Sequence, residues 1–466
     1  MDSNYLDYWI WRYIKGDLAR SGDLPHIAAT GKQQLDRAVL EEYQMVKLRR
    51  TVAYVINKSP FYRDLFSKHG VPASLLRTPA DLGRIPFTGP EDIIKDPYRF
   101  LCVPMGEISR IISLSTSGTT GERKRVFFTE NDLRRIVDLL AANTKAVLGE
   151  KQGTVQIMLP GETMMGQADA LAKGVEEAGA TAVMTGSTSD VMKQIKAIAE
   201  HGTIALVGYS FYLHRLTKLA GERHQLSDMG IEAVVTTGEP VPAAVRKTLE
   251  DQWKARVFSH YGLTEMGFNA GMGCESGTGY HIHEGDYLVE VINPDTGQPV
   301  ADGEEGEVVI TSLEREGMPL IRYRTRDLGR VIARKCTCGS ILKKIDMITK
   351  RTGTGIRLGP GELYPFTFDE SLFSIPMVLD YQLAVKKERD RTILIFLVET
   401  MNRRQATGSA PKEIAKVIEQ HPLIKEDVLG KKTIVEVEFV SKMSLRDTSS
   451  HKRLSAFVDP CDRRPV

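Results

Sequence analysis

The sequence predicts an α/β protein: a large N-terminal domain of mixed and parallel sheets with helices, residues 1–349, and a small α+β C-terminal domain, residues 350–466. Three observations predict it. Between about residue 150 and 240, short apolar runs alternate with amphipathic stretches, which is the strand–helix order of a mostly parallel sheet. Beyond Tyr280 the pattern changes to strand, turn, strand. Near residue 350, "KRTGTGIRLGPGELYP" is dense in Gly and Pro, and a further mixed segment large enough for a small domain follows it.

In chain order, the first hundred residues read mainly as helix. "KQQLDRAVLEEYQMVKLRRTVAYVINKS" spaces its apolar residues at helical intervals, and "SPFYRDLFSKHG" follows. "GTVQIMLP", "ATAVMTG", "GTIALVGYS" and "IEAVVTTGEP" read as buried strands ending in turn residues, covered on both faces. Between them, "DALAKGVEEAG" and "SDVMKQIKAIAEHG" read as helices. "YLVEVINPDTGQPVADGEEGEVVITSL" reads as an antiparallel pair with a turn at Asp302-Gly303. "YQLAVKKERDRTILIFLVE" and "EIAKVIEQHP" supply strand and helix to the C-terminal segment.

Composition narrows the function classes. Lys and Arg number 62 against 60 Asp and Glu, a balance that argues against nucleic-acid or membrane-surface partners. No apolar run approaches the roughly 18 residues of a membrane span. The opening "MDSNYLDYWIWRYIKGD" lacks the clean apolar core of a signal peptide. Five scattered cysteines do not form a disulfide framework, so a reduced, cytoplasmic compartment is expected.

Four stretches carry candidate chemistry. "SLSTSGTTGERKRVFF" packs hydroxyls around Gly118 and Gly121 and adds Arg123 and Lys124. It is not a Walker loop, yet glycine backbone, hydroxyls and a cation together can cradle an anion; the competing reading is a solvated surface turn. "HYGLTEMG" groups Tyr261, Thr264 and Glu265, a ring, a hydroxyl and a carboxylate that can hold a base, a phosphate and magnesium. "RYRTRDLG" puts Asp327 near the end of a strand, where a carboxylate can accept two ribose hydroxyls or pair with its arginine neighbours. "TTGEP" ends a buried strand, the usual place for ligand contacts in an open α/β sheet.

In this order and at these separations, "TSGTTGERK", "YGLTE" and "YRTRDLG" resemble the adenylate-forming superfamily of acyl-CoA synthetases. "SPFYRDLF", "DLGRIPFTGPEDI" and "GEP" make the chain most similar to its phenylacetate–CoA ligase family, and the likeness covers nearly the whole chain. The resemblance implies an adenylate-forming N-terminal domain and a mobile C-terminal one. It also implies the roles. Ser115, Thr116, Ser117, Gly118, Thr119, Thr120, Gly121 and Lys124 would surround the β- and γ-phosphates of ATP. Tyr261 and Gly262, with Gly238, Glu239 and Pro240, would line the adenine pocket. Thr264 would touch the α-phosphate, Glu265 would hold Mg²⁺, and Asp327, helped by Arg351, would bind the ribose. Lys452, in "TSSHKRLSAFVD", would be the adenylation lysine. The sequence departs from the family at Arg123, commonly Pro, at Gly353 and Thr354, often acidic, and at His451, where a Gly usually precedes the lysine.

The implied activity is ATP-dependent activation of an aryl or other small apolar carboxylic acid as its acyl-adenylate, then transfer to CoA. The alternatives are an adenylation-only enzyme that serves a carrier protein or an amine, and a non-catalytic relative that binds the acyl or AMP group. A homodimer is consistent with the family. Separately, Cys274, His281, Cys336 and Cys338 could complete a tetrahedral structural zinc site, with His281 preferred to His283. The competing reading makes the cysteines ordinary turn thiols. Met164, Met165, Tyr209, Phe211 and Phe268 are candidates for an apolar acyl pocket or for plain core.

Overall fold

The computed structural model describes residues 5–28, 34–72, 76, 79–115, 123–161, 166–188, 190–358, 361–388, 391–401, 409–440 and 457–458. Residues 116–122, Met164, Met165, His451 and Lys452 lie outside that set, so the expectations placed on them are outside it too. The chain divides into two compact units, one of residues 1–152, 163–180 and 260–347, the other of residues 153–162, 181–259 and 348–466. This division has a break near the expected 349/350 boundary and further breaks within the preceding segment. No helix among the described residues is long and apolar enough to cross a membrane.

The first unit opens with helices. The helix Arg37–Lys58 starts where the Asp36 side chain accepts from the Val39 N–H at 2.9 Å, and Ser59 ends it and caps the next, Pro60–Lys68. The hairpin Ile108–Ser115 with Arg123–Thr129 follows, its register ending at Leu114↔Lys124 and Ser115↔Arg123. Thr129 and Asp132 form a capping box that starts the helix Glu130–Leu148. Asp132 also accepts from the N–H groups of Glu316 (2.7 Å) and Gly317 (2.9 Å), tying this helix start to a distant loop. Helix Gln167–Glu177 packs closely on it because Gly174 has no Cβ; one there would lie 2.6 Å from Leu140. The strands Tyr287–Ile292, Gly306–Ser312 and Tyr323–Gly329 form an antiparallel series, the first pair being the expected strand–turn–strand.

In the second unit the strands Arg256–Tyr261 (as far as Ser259), Ala233–Thr237, Thr203–Tyr209, Thr154–Met158 and Thr181–Met184 lie side by side in that order, all parallel. Four are buried, as their continuous apolar pattern requires. The expectation of cover on both faces fails at Thr181–Met184: it is an edge strand, and Met184 is 49% exposed. The C-terminal segment forms a second sheet in the order Thr433–Val440, Arg391–Thr400, Val378–Glu388, Phe457–Val458. Between the two sheets runs helix Ser210–Gly221, buried on nearly every face. Its Arg215 reaches the Glu399 carboxylate at 2.7 Å, and Asp380 stands opposite Glu399 across the strand pair; all three are buried.

Each unit buries a histidine that stays neutral. Burial pushes His214 down to about 3, and pushes His260 down to about 4 even though Asn269 hydrogen-bonds it. Both values lie below the 6.5 of an unhindered imidazole. The stability each histidine contributes is therefore complete above that value and is lost as pH falls toward the folded value, at roughly 1.4 kcal/mol per pH unit. Thermal melts should show Tm falling steadily from pH 7 to pH 4.5, and His214→Gln should flatten part of that slope. A Tm independent of pH over this range would contradict the assignment.

Candidate nucleotide site and thiol cluster

The loop that follows the strand Arg256–Tyr261 is tight for steric reasons. A Cβ on Gly262 would sit 1.8 Å from the Phe268 carbonyl oxygen, so only glycine fits there. The short turn Thr264–Met266 closes on Gly267, at φ 67°, whose N–H donates to the Thr264 carbonyl at 3.1 Å. This turn leaves Thr264 half-buried and drives Glu265 inward, to 4% exposure. Arg315 donates to the Glu265 main-chain carbonyl at 2.5 Å and lies 4.0 Å over the Phe128 ring, fixing the turn from below.

Glu265 Oε1 receives two donors, the Tyr323 hydroxyl at 2.5 Å and the Lys124 ammonium. Burial pushes this carboxyl up, but Lys124 and Tyr323 more than offset it and hold Glu265 below the usual carboxylate range. Lys124 is the second residue of the strand Arg123–Thr129, where it pairs with Leu114 next to the Ser/Thr/Gly segment. The loop's cation and the "YGLTE" carboxylate thus meet, although 141 positions separate them.

Asp327 is placed by an irregularity. The pairing of Gly306–Ser312 with Tyr323–Gly329 shifts register between Glu307 and Val309, and Arg326 takes φ 67°, its N–H donating to Glu307 at 3.0 Å. Asp327 is thereby turned inward to accept the Tyr261 hydroxyl at 2.7 Å. The Tyr261 ring stacks on Tyr280 with centroids 5.3 Å apart and planes 29° apart. The strand Tyr323–Gly329 is therefore tied to the segment 261–265 twice, through Tyr323–Glu265 and Asp327–Tyr261.

In the second unit, Gly238 ends the strand Ala233–Thr237 at φ 76°, where a Cβ would lie 2.6 Å from the Tyr209 ring. Glu239 is half-buried and the Pro240 carbonyl accepts from Ser210 at 3.1 Å. Arg351 is exposed; its carbonyl accepts the Thr354 hydroxyl at 2.9 Å around Gly353, at φ 76°. Tyr209 and Phe211 stack on one another and are buried, and Phe268 of the first unit is half-buried.

Cys274, His281, Cys336 and Cys338 converge, with one ligand atom from each lying within 4.8 Å of all the others. Cys274 Sγ is 3.5 Å from Cys336 Sγ, and His281 Nε2 is 3.3 Å from Cys338 Sγ. His281 Nδ1 is 3.2 Å from the Leu342 carbonyl, the arrangement that leaves Nε2 to face the sulfurs. Hydrogen bonding with Cys338 pulls the Cys274 thiol down and lifts Cys338 in turn. His283 is buried away from the cluster. The sequence reading missed Tyr323, Arg315, Tyr280 and Lys344; of these, only Tyr323 stood within a motif it had singled out.

Residues 111–313 match the family described as AMP-binding enzyme. A structure of 2-hydroxyisobutyryl-CoA ligase in complex with 2-HIB-AMP superposes with a TM-score of 0.78 at 21% identity, covering 91% of this chain and 90% of that one. The fold is that of the adenylate-forming enzymes. The phenylacetate-coenzyme A ligase of Thermus thermophilus is 32% identical over 363 residues, 76% of this chain and 80% of the relative. That of Aromatoleum evansii is 30% identical over 401 residues, 84% and 87%. The chain belongs to the phenylacetate–coenzyme A ligase family.

Proposed function

We propose that this protein is an ATP-dependent acid–CoA ligase that activates an aryl or other small apolar carboxylic acid as its acyl-adenylate and passes the acyl group to CoA. The observation that carries the reading is the interlock of Tyr261 with Asp327 and of Glu265 with Lys124 and Tyr323. It brings a ring, a ribose-type acceptor and a paired carboxylate and cation into one neighbourhood of the first unit. In this reading the Tyr261 ring supports adenine and Asp327 accepts from the ribose hydroxyls. The Thr264 hydroxyl donates to the α-phosphate, and residues 115–124 surround the β- and γ-phosphates. Gly238, Glu239 and Pro240 line the base pocket, and Arg351 assists at the ribose.

Glu265 is the residue that would hold magnesium. A buried carboxylate kept ionised and already beside a cation suits that task. When bound, the ion neutralises phosphate charge. Lys452 would direct its ammonium to the carboxylate oxygen attacking the α-phosphate, where negative charge accumulates as pyrophosphate leaves. The CoA thiolate then attacks the acyl-adenylate carbonyl and AMP leaves. Residues 350–466 serve as the module that carries Lys452. The four-residue thiol and imidazole group fits a tetrahedral structural zinc ion, for which its donor set is suited.

The test is pyrophosphate release from ATP and Mg²⁺ across a panel of aryl and short apolar acids, with and without CoA, on the wild type and Lys452→Ala. Acid-dependent release that turns over only with CoA, and falls by roughly 10²-fold or more in the variant, is expected. Release indifferent to CoA would replace the reading with adenylation alone. Absence of release with every acid, despite ATP binding, would favour a sensor.

A further inference from the structure

The thiol cluster and the nucleotide site share the strand Tyr280–Ile282. Successive side chains of a strand point to opposite faces. Tyr280 turns to Tyr261, and its hydroxyl lies 2.7 Å from Met347 Sδ, while His281 turns to the sulfurs. Two further contacts fix the strand's position. Gly279, at φ 63°, passes so close to the Ile345 carbonyl that a Cβ would lie 2.1 Å from it. The paired strand Lys344–Ile345 aligns Lys344 with His281 and Ile345 with Tyr280.

Lys344 supplies the second observation. It is 5% exposed, yet its ammonium sits in no ion pair with a carboxylate among the described residues. Its neighbours are Ser276 Oγ at 2.6 Å, Thr278 Oγ1 at 3.3 Å, Cys336 Sγ at 3.3 Å and Cys274 Sγ at 3.5 Å. A buried ammonium requires a compensating anion. Three thiolates and a neutral imidazole around a divalent ion carry a net charge of about −1, which one ammonium balances.

We infer that Cys274, His281, Cys336 and Cys338 hold a zinc ion whose charge Lys344 completes, and that this centre sets the affinity of the nucleotide site by holding Tyr280 behind Tyr261. The inference rests on the nucleotide role given to Tyr261 above. The zinc is structural and takes part in no chemical step. It joins the loop at Cys274, the strand at His281 and the turn at Cys336–Cys338 into one support. Losing that support frees Tyr280 and removes a stacking contact worth about 0.5–1.5 kcal/mol, together with the fixed angle of the Tyr261 ring.

The experiment measures zinc content by mass spectrometry and AMP affinity by calorimetry on the full chain, without acid or CoA. Wild type should carry about one zinc per chain. Cys338→Ser, or wild type stripped with a chelator, should lose the metal and bind AMP about two- to tenfold more weakly, with re-added zinc restoring the stripped protein. Tyr280→Leu should keep the metal and show the same loss of AMP affinity. Lys344→Met should weaken zinc binding about 10–100-fold against a competing chelator. Wild type free of zinc would overturn the metal centre. Equal AMP affinity with and without zinc would overturn the coupling. AMP binding that fails even in zinc-loaded wild type, with no acid-dependent pyrophosphate release, would instead reject the ligase reading beneath both.

Discussion

Glu265→Gln is expected to slow acid-dependent pyrophosphate release by roughly 10²–10³-fold while leaving Tm within a few degrees of wild type. The amide is the same size as the carboxylate and its oxygen can still accept from Tyr323, so the turn at Thr264–Met266 keeps its shape. The charge is what disappears. Lys124 loses its partner, and the site loses a carboxylate that burial pushes up but that Lys124 and Tyr323 hold below the usual range. Tyr323→Phe removes a single hydrogen bond to the same carboxylate and should cost less, about 1.5–3 kcal/mol of transition-state stabilisation. Single-turnover release at saturating ATP separates the two. Near wild-type release by Glu265→Gln would remove Glu265 from the site.

Arg322→Ala should destabilise the protein by about 3–5 kcal/mol in urea unfolding. Arg322 is 1% exposed and grips Glu290 through two bonds of 3.0 and 2.8 Å. It also donates to the Ile85 carbonyl at 2.6 Å and lies 4.0 Å over the Phe87 ring, so it holds the 83–87 segment against the antiparallel strands. Burial pushes the Glu290 carboxyl up and Arg322 opposes that push. Without the guanidinium the folded carboxyl rises further. A raised folded value means the contribution is present at low pH and lost as pH rises through it, so the deficit of the variant should grow from pH 5 to pH 8. Arg322→Met with Glu290→Leu should recover part of the loss, since a buried pair replaced by apolar groups leaves no unpaired charge. A loss below about 1 kcal/mol for Arg322→Ala would contradict the assigned role.

Local pattern carried most of the fold. The helix Arg37–Lys58 was legible because its apolar residues recur at helical spacing, and the parallel strands because burial on both faces leaves an unbroken apolar run. Edge position is not written in a strand of four residues, which is why Thr181–Met184 read like its neighbours. In the candidate site the residue types were legible and their partnerships were not. Tyr261 and Asp327 lie 66 positions apart on strands of different sheets, and only the packing of those sheets brings them together. The left-handed turn at Arg326 is silent in "TRD", because no glycine announces it. His281 and His283 would share a face if the strand continued. It ends at Ile282, and His283 turns into the interior. Lys344 looked like any charged residue of "LKKID"; its meaning comes from sulfurs as far as 70 positions away.

The salt link from Arg215 to Glu399 bears on how such enzymes can be recombined. Helix Ser210–Gly221 and the strand Arg391–Thr400 share one buried charge pair, with Asp380 beside it. A chimera that takes its C-terminal segment from a relative with an apolar residue at position 399 would bury the Arg215 guanidinium without that partner. The lost partner would cost several kcal/mol, a large share of the stability of an ordinary domain. Shuffling at the natural-looking seam near residue 348 therefore has a hidden parity condition: Arg215 and Glu399 travel together or are replaced together.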